Sequence, residues 1–148
     1  MAIHLVDQAI GLAATLHTEQ RDKLGEPYIY HPLRVMEAVR AAGGTKEQVA
    51  AAVLHDVHED IKIPIKVLEA MFGEQVATLV NAVSRRGHET YDDFIDRVIC
   101  TPDAVMIKIC DIDDNLGRMW HKDLDPEWVE RKIAQYTKAL DKLKKAYT

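Results

Sequence analysis

The sequence predicts an all-α fold in a single domain. Apolar residues recur at helical spacing along nearly all of the 148 residues, and helix caps or prolines stand where the apolar stretches begin. One run, "AVMIKI", has the β-branched composition of a buried strand, but no second run could pair with it. The chain contains no repeat, linker or low-complexity segment. These observations favour one helical domain that spans residues 1–148.

The first two helices are separated by a polar stretch that contains glycine and proline. Apolar residues from Ile3 to His17 follow the i, i+3, i+4, i+7 pattern of an amphipathic helix. The stretch "KLGEPYIYHP" interrupts this pattern with Gly25 and Pro27. A second helix is expected to begin near Pro32, because proline suits the first turn of a helix, and to continue to "AAGGT".

The third helix has the clearest start signal. Thr45 is a good N-cap and Gln48 stands three residues later, which is the pattern of a capping box. This helix is expected from about Lys46 to about Asp60. Proline or a capping residue opens most of the later helices in the same way. They are expected from Pro64 through Met71, from "FGEQ" to about Val83, from Tyr91 to Ile99, from Pro102 through "AVMIKICDIDDNLGRM", and from Asp125-Pro126 to the C-terminus.

The charge of the chain restricts its partners. Lys and Arg number 19 and Asp and Glu number 24, which gives a net charge of −5. This balance argues against binding nucleic acid through bulk positive charge. A polyanionic small molecule would need a local basic pocket or a metal ion. No apolar run approaches the ~20 residues of a membrane span, so no membrane partner is expected.

The chain has the features expected of a cytoplasmic protein. Its first residues, "MAIHLVDQAIGLAA", lack the basic region of a signal peptide and are interrupted by polar side chains. Cys100 and Cys110 do not form a C-x-x-C pair, and each is interpreted as a buried, reduced thiol. A reducing compartment is therefore expected.

The segment "LHDVHED", at the end of the third predicted helix, is the densest cluster of metal-ligand residue types in the chain. His55 and Asp56 are neighbours, about 100° apart on a helix with ~3.6 residues per turn. An imidazole and a carboxylate placed in this way can both reach one ion that lies between their directions. Glu59 and Asp60 stand one turn later, so they would face the same cavity without needing to be ligands.

A divalent ion usually takes three or four protein ligands, so further ligands must come from other segments. His31 projects from the start of the second helix, and Asp111 follows the mostly apolar run "VMIKIC". Two imidazoles and two carboxylates form a mixed nitrogen and oxygen set, which suits manganese, iron or zinc better than calcium or magnesium. Each residue taken singly also has a purely structural explanation. His31 could cap its helix, and Asp111 could pair with Lys108.

Three blocks of the sequence together resemble a known family. They are "RDKLGEPYIYHPLRV" (Arg21–Val35), "AAVLHDVHED" (Ala51–Asp60) and "VMIKICDIDDNLGR" (Val105–Arg118). Their order and spacing resemble HD-domain phosphohydrolases, and more narrowly the hydrolase domain of the RelA/SpoT alarmone enzymes and its small stand-alone relatives. The resemblance implies an HD-type helical bundle that binds one divalent metal ion, commonly Mn²⁺.

The resemblance also assigns expected roles to individual residues. Those matching the metal ligands are His31, His55, Asp56 and Asp111, and those matching the acidic pair that activates the attacking water are Glu59 and Asp60. Asn115, Arg21 and Lys23 match positions along the nucleotide site. Lys108 and Arg85 add local positive charge, although Lys108 could serve only to steady Asp111, and Arg85 could lie in a solvated loop. Arg118 stands one position later than the family's arginine, so no role is carried over to it.

The expected function is a metal-dependent phosphohydrolase that acts on a small-molecule nucleotide. The favoured reaction removes the 3′-pyrophosphate of guanosine tetra- or pentaphosphate (ppGpp or pppGpp) or of a close analogue. One alternative is an HD-type nucleotidase that acts on other nucleotides, such as deoxynucleoside monophosphates. Another is a catalytically silent module that binds a nucleotide or a partner.

Overall fold

Helices make up most of the part of the chain that the computed structural model describes, which is residues 4–147. Eight helices follow one another along this span, and most of them are joined by short connections. They are α1 (Leu5–Leu16), α2 (Tyr30–Ala41), α3 (Lys46–Ile61), α4 (Ile65–Phe72), α5 (Glu74–Ala82), α6 (Tyr91–Ile99), α7 (Pro102–Gly117) and α8 (Pro126–Tyr147).

The predicted all-α class is confirmed. The ambiguous run "AVMIKI" lies inside α7, and between residues 4 and 147 the only extended pairing is an isolated bridge between Arg21 and Pro27. Ile3, the first residue of the predicted pattern, lies outside the described residues. The second helix begins at Tyr30, two residues before Pro32. It begins early because the amide of Tyr30 donates to the carbonyl of Pro27 at 3.4 Å, which winds the chain into a turn before the helix.

Helix α3 is the centre of the fold. Its residues from Gln48 to Val57 are all buried, and it packs against α1, α2 and α5. Helix α7 packs against α2, α3, α6 and α8, so it joins the central helix to the C-terminal one. The core is therefore continuous around the segment that carries His55 and Asp56, and this packing fixes the backbone of both residues.

The predicted capping box at the start of α3 is confirmed. The Thr45 hydroxyl accepts from the Gln48 amide at 3.1 Å, and the Gln48 side chain accepts from the Thr45 amide at 2.9 Å. We expect Thr45→Ala to lower the free energy of unfolding by about 1 kcal/mol, measured by urea denaturation. Thr101, the N-cap of α7, makes no capping hydrogen bond with its side chain. Thr101→Ala is therefore the control, and equal losses in the two variants would contradict this account.

The two cysteines differ from the sequence-based expectation. Both are free thiols, as predicted, but Cys100 is exposed and Cys110 is only half-buried. Cys100 is exposed because it follows the last residue of α6, where its thiol reaches back to the carbonyl of Asp96. Among the described helices, none is both long enough and apolar enough to cross a membrane.

Candidate active site

Three helices bring the four predicted metal ligands together in the interior. His31 lies in the first turn of α2, His55 and Asp56 lie near the end of α3, and Asp111 lies on α7. One ligand atom from each of His31, His55 and Asp111 falls within 4.8 Å of the other two. The Nε2 atoms of His31 and His55 lie 2.9 and 3.3 Å from Asp111 Oδ1.

Asp56 is the fourth member of this cluster. Its Oδ2 lies 3.0 Å from His55 Nε2 and 3.8 Å from His31 Nε2. The same oxygen accepts a hydrogen bond from the hydroxyl of Tyr28, and burial followed by the charge of Asp56 raises the pKa of that hydroxyl. Tyr28 therefore remains a donor and fixes the direction of the Asp56 carboxylate.

The hydrogen bonds of His55 indicate that the cluster suits a cation. Nδ1 of His55 lies 2.6 Å from the carbonyl of Ala52, which can only accept, so this nitrogen carries the proton. Nε2 of His55 then presents a lone pair to the centre, where this buried atom has no hydrogen-bond partner. Lone pairs and carboxylate oxygens that face each other without a proton repel one another. A divalent ion with mixed nitrogen and oxygen ligands would relieve this repulsion.

A buried lysine keeps the Asp111 carboxylate of the cluster ionised. Lys108 is only 8% exposed, and its Nζ donates to Asp111 Oδ2 at 2.7 Å. Burial acts to raise the pKa of Asp111, but the charge of Lys108 holds it well below the usual range. Ionised carboxylates are the form that binds a cation.

The predicted acidic pair lies at the rim of the cluster, on the last turns of α3. Glu59 Oε2 accepts from the backbone amide of Arg85 at 3.1 Å. Asp60 Oδ2 accepts from the side-chain amide of Gln20 at 3.0 Å. Burial raises the pKa of Glu59 above its ordinary value. A carboxylate of raised pKa beside a cation site can take a proton from water.

These side chains line a cavity of about 210 Å³ that a nucleotide phosphate could enter. The wall includes most of the predicted site residues and four aromatic side chains. It is formed by Tyr28, His31, Asp56, Glu59, Asp60, Arg85, Tyr91, Phe94, Lys108, Asp111, Asn115, Lys132 and Tyr136.

A second cavity of about 390 Å³ adjoins the first. Arg21, Lys23 and Asn115 line it, as expected for residues along a nucleotide site, and Asn115 lines both cavities. Lys23 Nζ lies 4.7 Å from the centre of the Trp128 ring. The second cavity thus combines positive charge with aromatic surface and adjoins the cavity that contains the cation cluster.

The last helix contributes residues that sequence reasoning missed. Trp128, Lys132 and Tyr136 stand four residues apart on α8 and all line the second cavity. This spacing is the signal that could have found them, because it places an aromatic, a basic and an aromatic side chain on one helical face. Burial, followed by the charges of Arg85 and Lys23, lowers the pKa of Lys132, as expected in a basic cavity.

Curated relatives resemble the chain over most of its length. It is 36% identical over 143 residues to a probable guanosine-3′,5′-bis(diphosphate) 3′-pyrophosphohydrolase of Synechocystis, covering 90% of this chain and 19% of the relative. It is 33% identical over 140 residues to the guanosine-3′,5′-bis(diphosphate) 3′-pyrophosphohydrolase of Aquifex aeolicus, covering 89% of this chain and 20% of the relative. The chain therefore spans about a fifth of the length of these relatives.

A solved structure and a family profile identify the fold and the family. The structure is described as a metazoan ortholog of SpoT that hydrolyzes ppGpp; it superposes with a TM-score of 0.84 at 24% identity, covering 97% of this chain and 87% of that one. This likeness confirms the HD-type helical fold. The profile of the HD domain matches residues 9–91, which is more than half of the chain. The chain belongs to the HD domain family.

Proposed function

We propose that the chain is a metal-dependent nucleotide pyrophosphohydrolase. Its reaction is the removal of the 3′-pyrophosphate of guanosine tetra- or pentaphosphate or a close analogue. The observation that carries the proposal is the buried cluster of His31, His55 and Asp111, whose ligand atoms lie within 4.8 Å of one another. The names of the relatives that match about nine-tenths of the chain supply the substrate class.

One divalent ion, Mn²⁺ in our proposal, is held by His31, His55, Asp56 and Asp111. Two imidazoles and two carboxylates suit Mn²⁺ better than calcium or magnesium. When bound, the ion lowers the pKa of a water ligand and draws charge from a phosphate oxygen. Tyr28 and Lys108 orient the two carboxylates, through the hydrogen bonds to Asp56 and Asp111.

Glu59 and Asp60 are the catalytic acidic pair in this proposal. Glu59 is the general base, because its pKa is raised and it borders the cation cluster. It accepts the proton of the water that attacks the inner phosphorus of the 3′-pyrophosphate, while the bond from that phosphorus to the ribose 3′-oxygen breaks and the oxygen takes up a proton. Asp60, held by Gln20, keeps the rim of the cavity negatively charged and directs the water. The backbone amide of Arg85 holds the Glu59 carboxylate in place.

The nucleotide lies across the two cavities. Lys108 and Arg85 face the inner cavity and neutralise the pyrophosphate group, which is transferred to water as its bond to the ribose 3′-oxygen breaks. Arg21, Lys23 and Asn115 bind the rest of the nucleotide in the outer cavity. Trp128 and Tyr136 offer aromatic faces on which a base can stack. This local positive charge makes a polyanionic substrate compatible with the net charge of −5.

Residues 1–148 form a single HD phosphohydrolase domain in this proposal. Its partner is a small-molecule nucleotide rather than nucleic acid, and its compartment is the cytoplasm. The free state of Cys100 and Cys110 supports a reducing compartment.

The test is a turnover panel with purified protein. With Mn²⁺ we expect pyrophosphate release from guanosine tetraphosphate, loss of release after chelation, and recovery when Mn²⁺ is returned. Ion chromatography separates pyrophosphate from orthophosphate. Orthophosphate release from deoxynucleoside monophosphates, without pyrophosphate release from any guanosine polyphosphate, would support a nucleotidase instead. Tight nucleotide binding without turnover, unchanged in Glu59→Gln, would identify a silent module.

A further inference from the structure

The imidazole of His31 lies between two carboxylates of one helix. Its Nε2 is 2.9 Å from Asp111 Oδ1, and its Nδ1 is 2.7 Å from Asp114 Oδ2. Asp111 and Asp114 are three residues apart on α7, so their side chains share one face of that helix. Nδ1, which points away from the cation cluster, therefore has a carboxylate partner just as Nε2 does.

Asp114 is itself held by an arginine from α2. Arg34 Nε donates to Asp114 Oδ1 at 2.7 Å, and its terminal NH2 group donates to Asp114 Oδ2 at 3.0 Å. This two-pronged contact fixes both the position and the plane of the carboxylate. Arg34 follows His31 by three residues. Helix α2 thus supplies the imidazole and the guanidinium, and α7 supplies the two carboxylates.

The two histidines of the cluster differ in the hydrogen-bond partner of their Nδ1 atoms. Nδ1 of His55 contacts the carbonyl of Ala52, a neutral acceptor of its own helix. Nδ1 of His31 contacts a charged carboxylate from another helix, across 83 positions of sequence. A carboxylate partner makes an imidazole a stronger electron donor, and removal of such partners typically lowers metal affinity about 10- to 100-fold.

We propose that Asp114, held in place by Arg34, is a positioning residue that fixes His31 with its proton on Nδ1. This arrangement presents the Nε2 lone pair of His31 to the cation. The inference rests on the proposed function only in requiring that a divalent cation binds among His31, His55 and Asp111. It adds to the cluster a pair of side chains that neither touches the ion nor belongs to the acidic pair.

Metal affinity is the first measurement, because it does not depend on turnover. Mn²⁺ binding to the metal-free protein is measured by competition with a fluorescent chelator at fixed pH. We expect Asp114→Ala to weaken binding about 10- to 100-fold. Asp114→Asn should weaken it less, since its amide oxygen can still accept from Nδ1. Asp113→Ala, an exposed neighbour on the same helix, is the control and should leave binding unchanged.

Arg34 gives a second, independent variant with its own matched control. Arg34→Met removes the contact that holds Asp114, and we expect an affinity between those of the wild type and Asp114→Ala. Arg40 lies on the same helix and also pairs with a carboxylate, that of Glu37, but both of these side chains are exposed. Arg40→Met should leave Mn²⁺ binding unchanged. Far-UV circular dichroism checks that each variant is folded, and Arg34→Met carries the test if Asp114→Ala is not.

The hydrogen bond at Nδ1 of His31 is the readout that a merely structural role would not change. In Zn²⁺-loaded protein labelled with ¹⁵N-histidine, where the ion occupies Nε2, the Nδ1 proton of His31 should resonate far downfield because it is hydrogen-bonded to the Asp114 carboxylate. In Asp114→Ala this proton signal should move upfield or disappear through exchange with solvent. Unchanged affinity and an unchanged Nδ1 proton signal in folded Asp114→Ala would overturn the inference. A wild-type protein that binds no Mn²⁺ would overturn the proposed function itself.

Discussion

Asp111→Ala should eliminate both Mn²⁺ binding and turnover. Asp111 Oδ1 lies within 3.3 Å of the Nε2 atoms of both histidines, so its loss removes the oxygen that the two imidazoles share. The change also leaves the buried Lys108 without its carboxylate, and we expect a loss of about 3–5 kcal/mol in the free energy of unfolding. Chelator competition, pyrophosphate release and urea denaturation measure the three effects.

A second substitution separates loss of the site from loss of stability. In Asp111→Ala/Lys108→Met the unpaired charge is gone, and the methionine side chain can still pack against Phe94, over which Lys108 now lies. We expect this double variant to regain much of the lost stability and none of the metal binding. Recovery of Mn²⁺ affinity in the double variant would show that Asp111 is needed only to neutralise Lys108.

Glu59→Gln should leave Mn²⁺ affinity unchanged and lower the rate of pyrophosphate release about 10²- to 10⁴-fold. The substitution keeps the shape of the side chain and an oxygen that can accept from the Arg85 amide, but it removes the basic carboxylate. The rate is measured under saturating nucleotide, and the affinity is measured by the same competition assay. A variant that turns over at the wild-type rate would exclude Glu59 as the base.

The pH dependence of the rate gives this prediction a second readout. A general base works only when ionised, so activity should fall as the pH drops through the pKa of Glu59. Burial raises that pKa above its ordinary value of 4.5, which moves the acid limb of the wild-type profile to higher pH. This limb should be absent from the residual activity of Glu59→Gln. Glu37→Gln, an exposed glutamate on α2, should reproduce the wild-type profile.

The sequence predicts the helices and the grouping of acidic and imidazole side chains at the end of α3 well because these signals are local. Thr45 and Gln48 lie three residues apart, and their capping box depends on nothing beyond that spacing. His55, Asp56 and the acidic pair stand within six residues on one helix. The three blocks that resemble the family supply His31 and Asp111, which composition and periodicity alone leave as structural possibilities.

What the sequence does not predict depends on contacts between distant segments. Asp114 meets Arg34 across 80 positions, and no periodicity relates them. The spacing of Trp128, Lys132 and Tyr136 predicts that they share one face of a helix. The position of that face at the second cavity depends on how α8 packs against α7. Pairing of elements far apart in sequence is set by tertiary packing, which a single sequence does not encode in its local spacing.

Because α3 is buried, binding of the metal ion is coupled to the cooperative unfolding of the whole molecule. His55 and Asp56 end an uninterrupted buried stretch that begins at Gln48, so this stretch cannot open locally without exposing core. An ion that binds only the native state adds RT ln(1 + [L]/Kd) to its stability. Amide protons along α3 then exchange with solvent more slowly as the ion concentration rises. Their exchange rates therefore report the fraction of protein that has bound the ion.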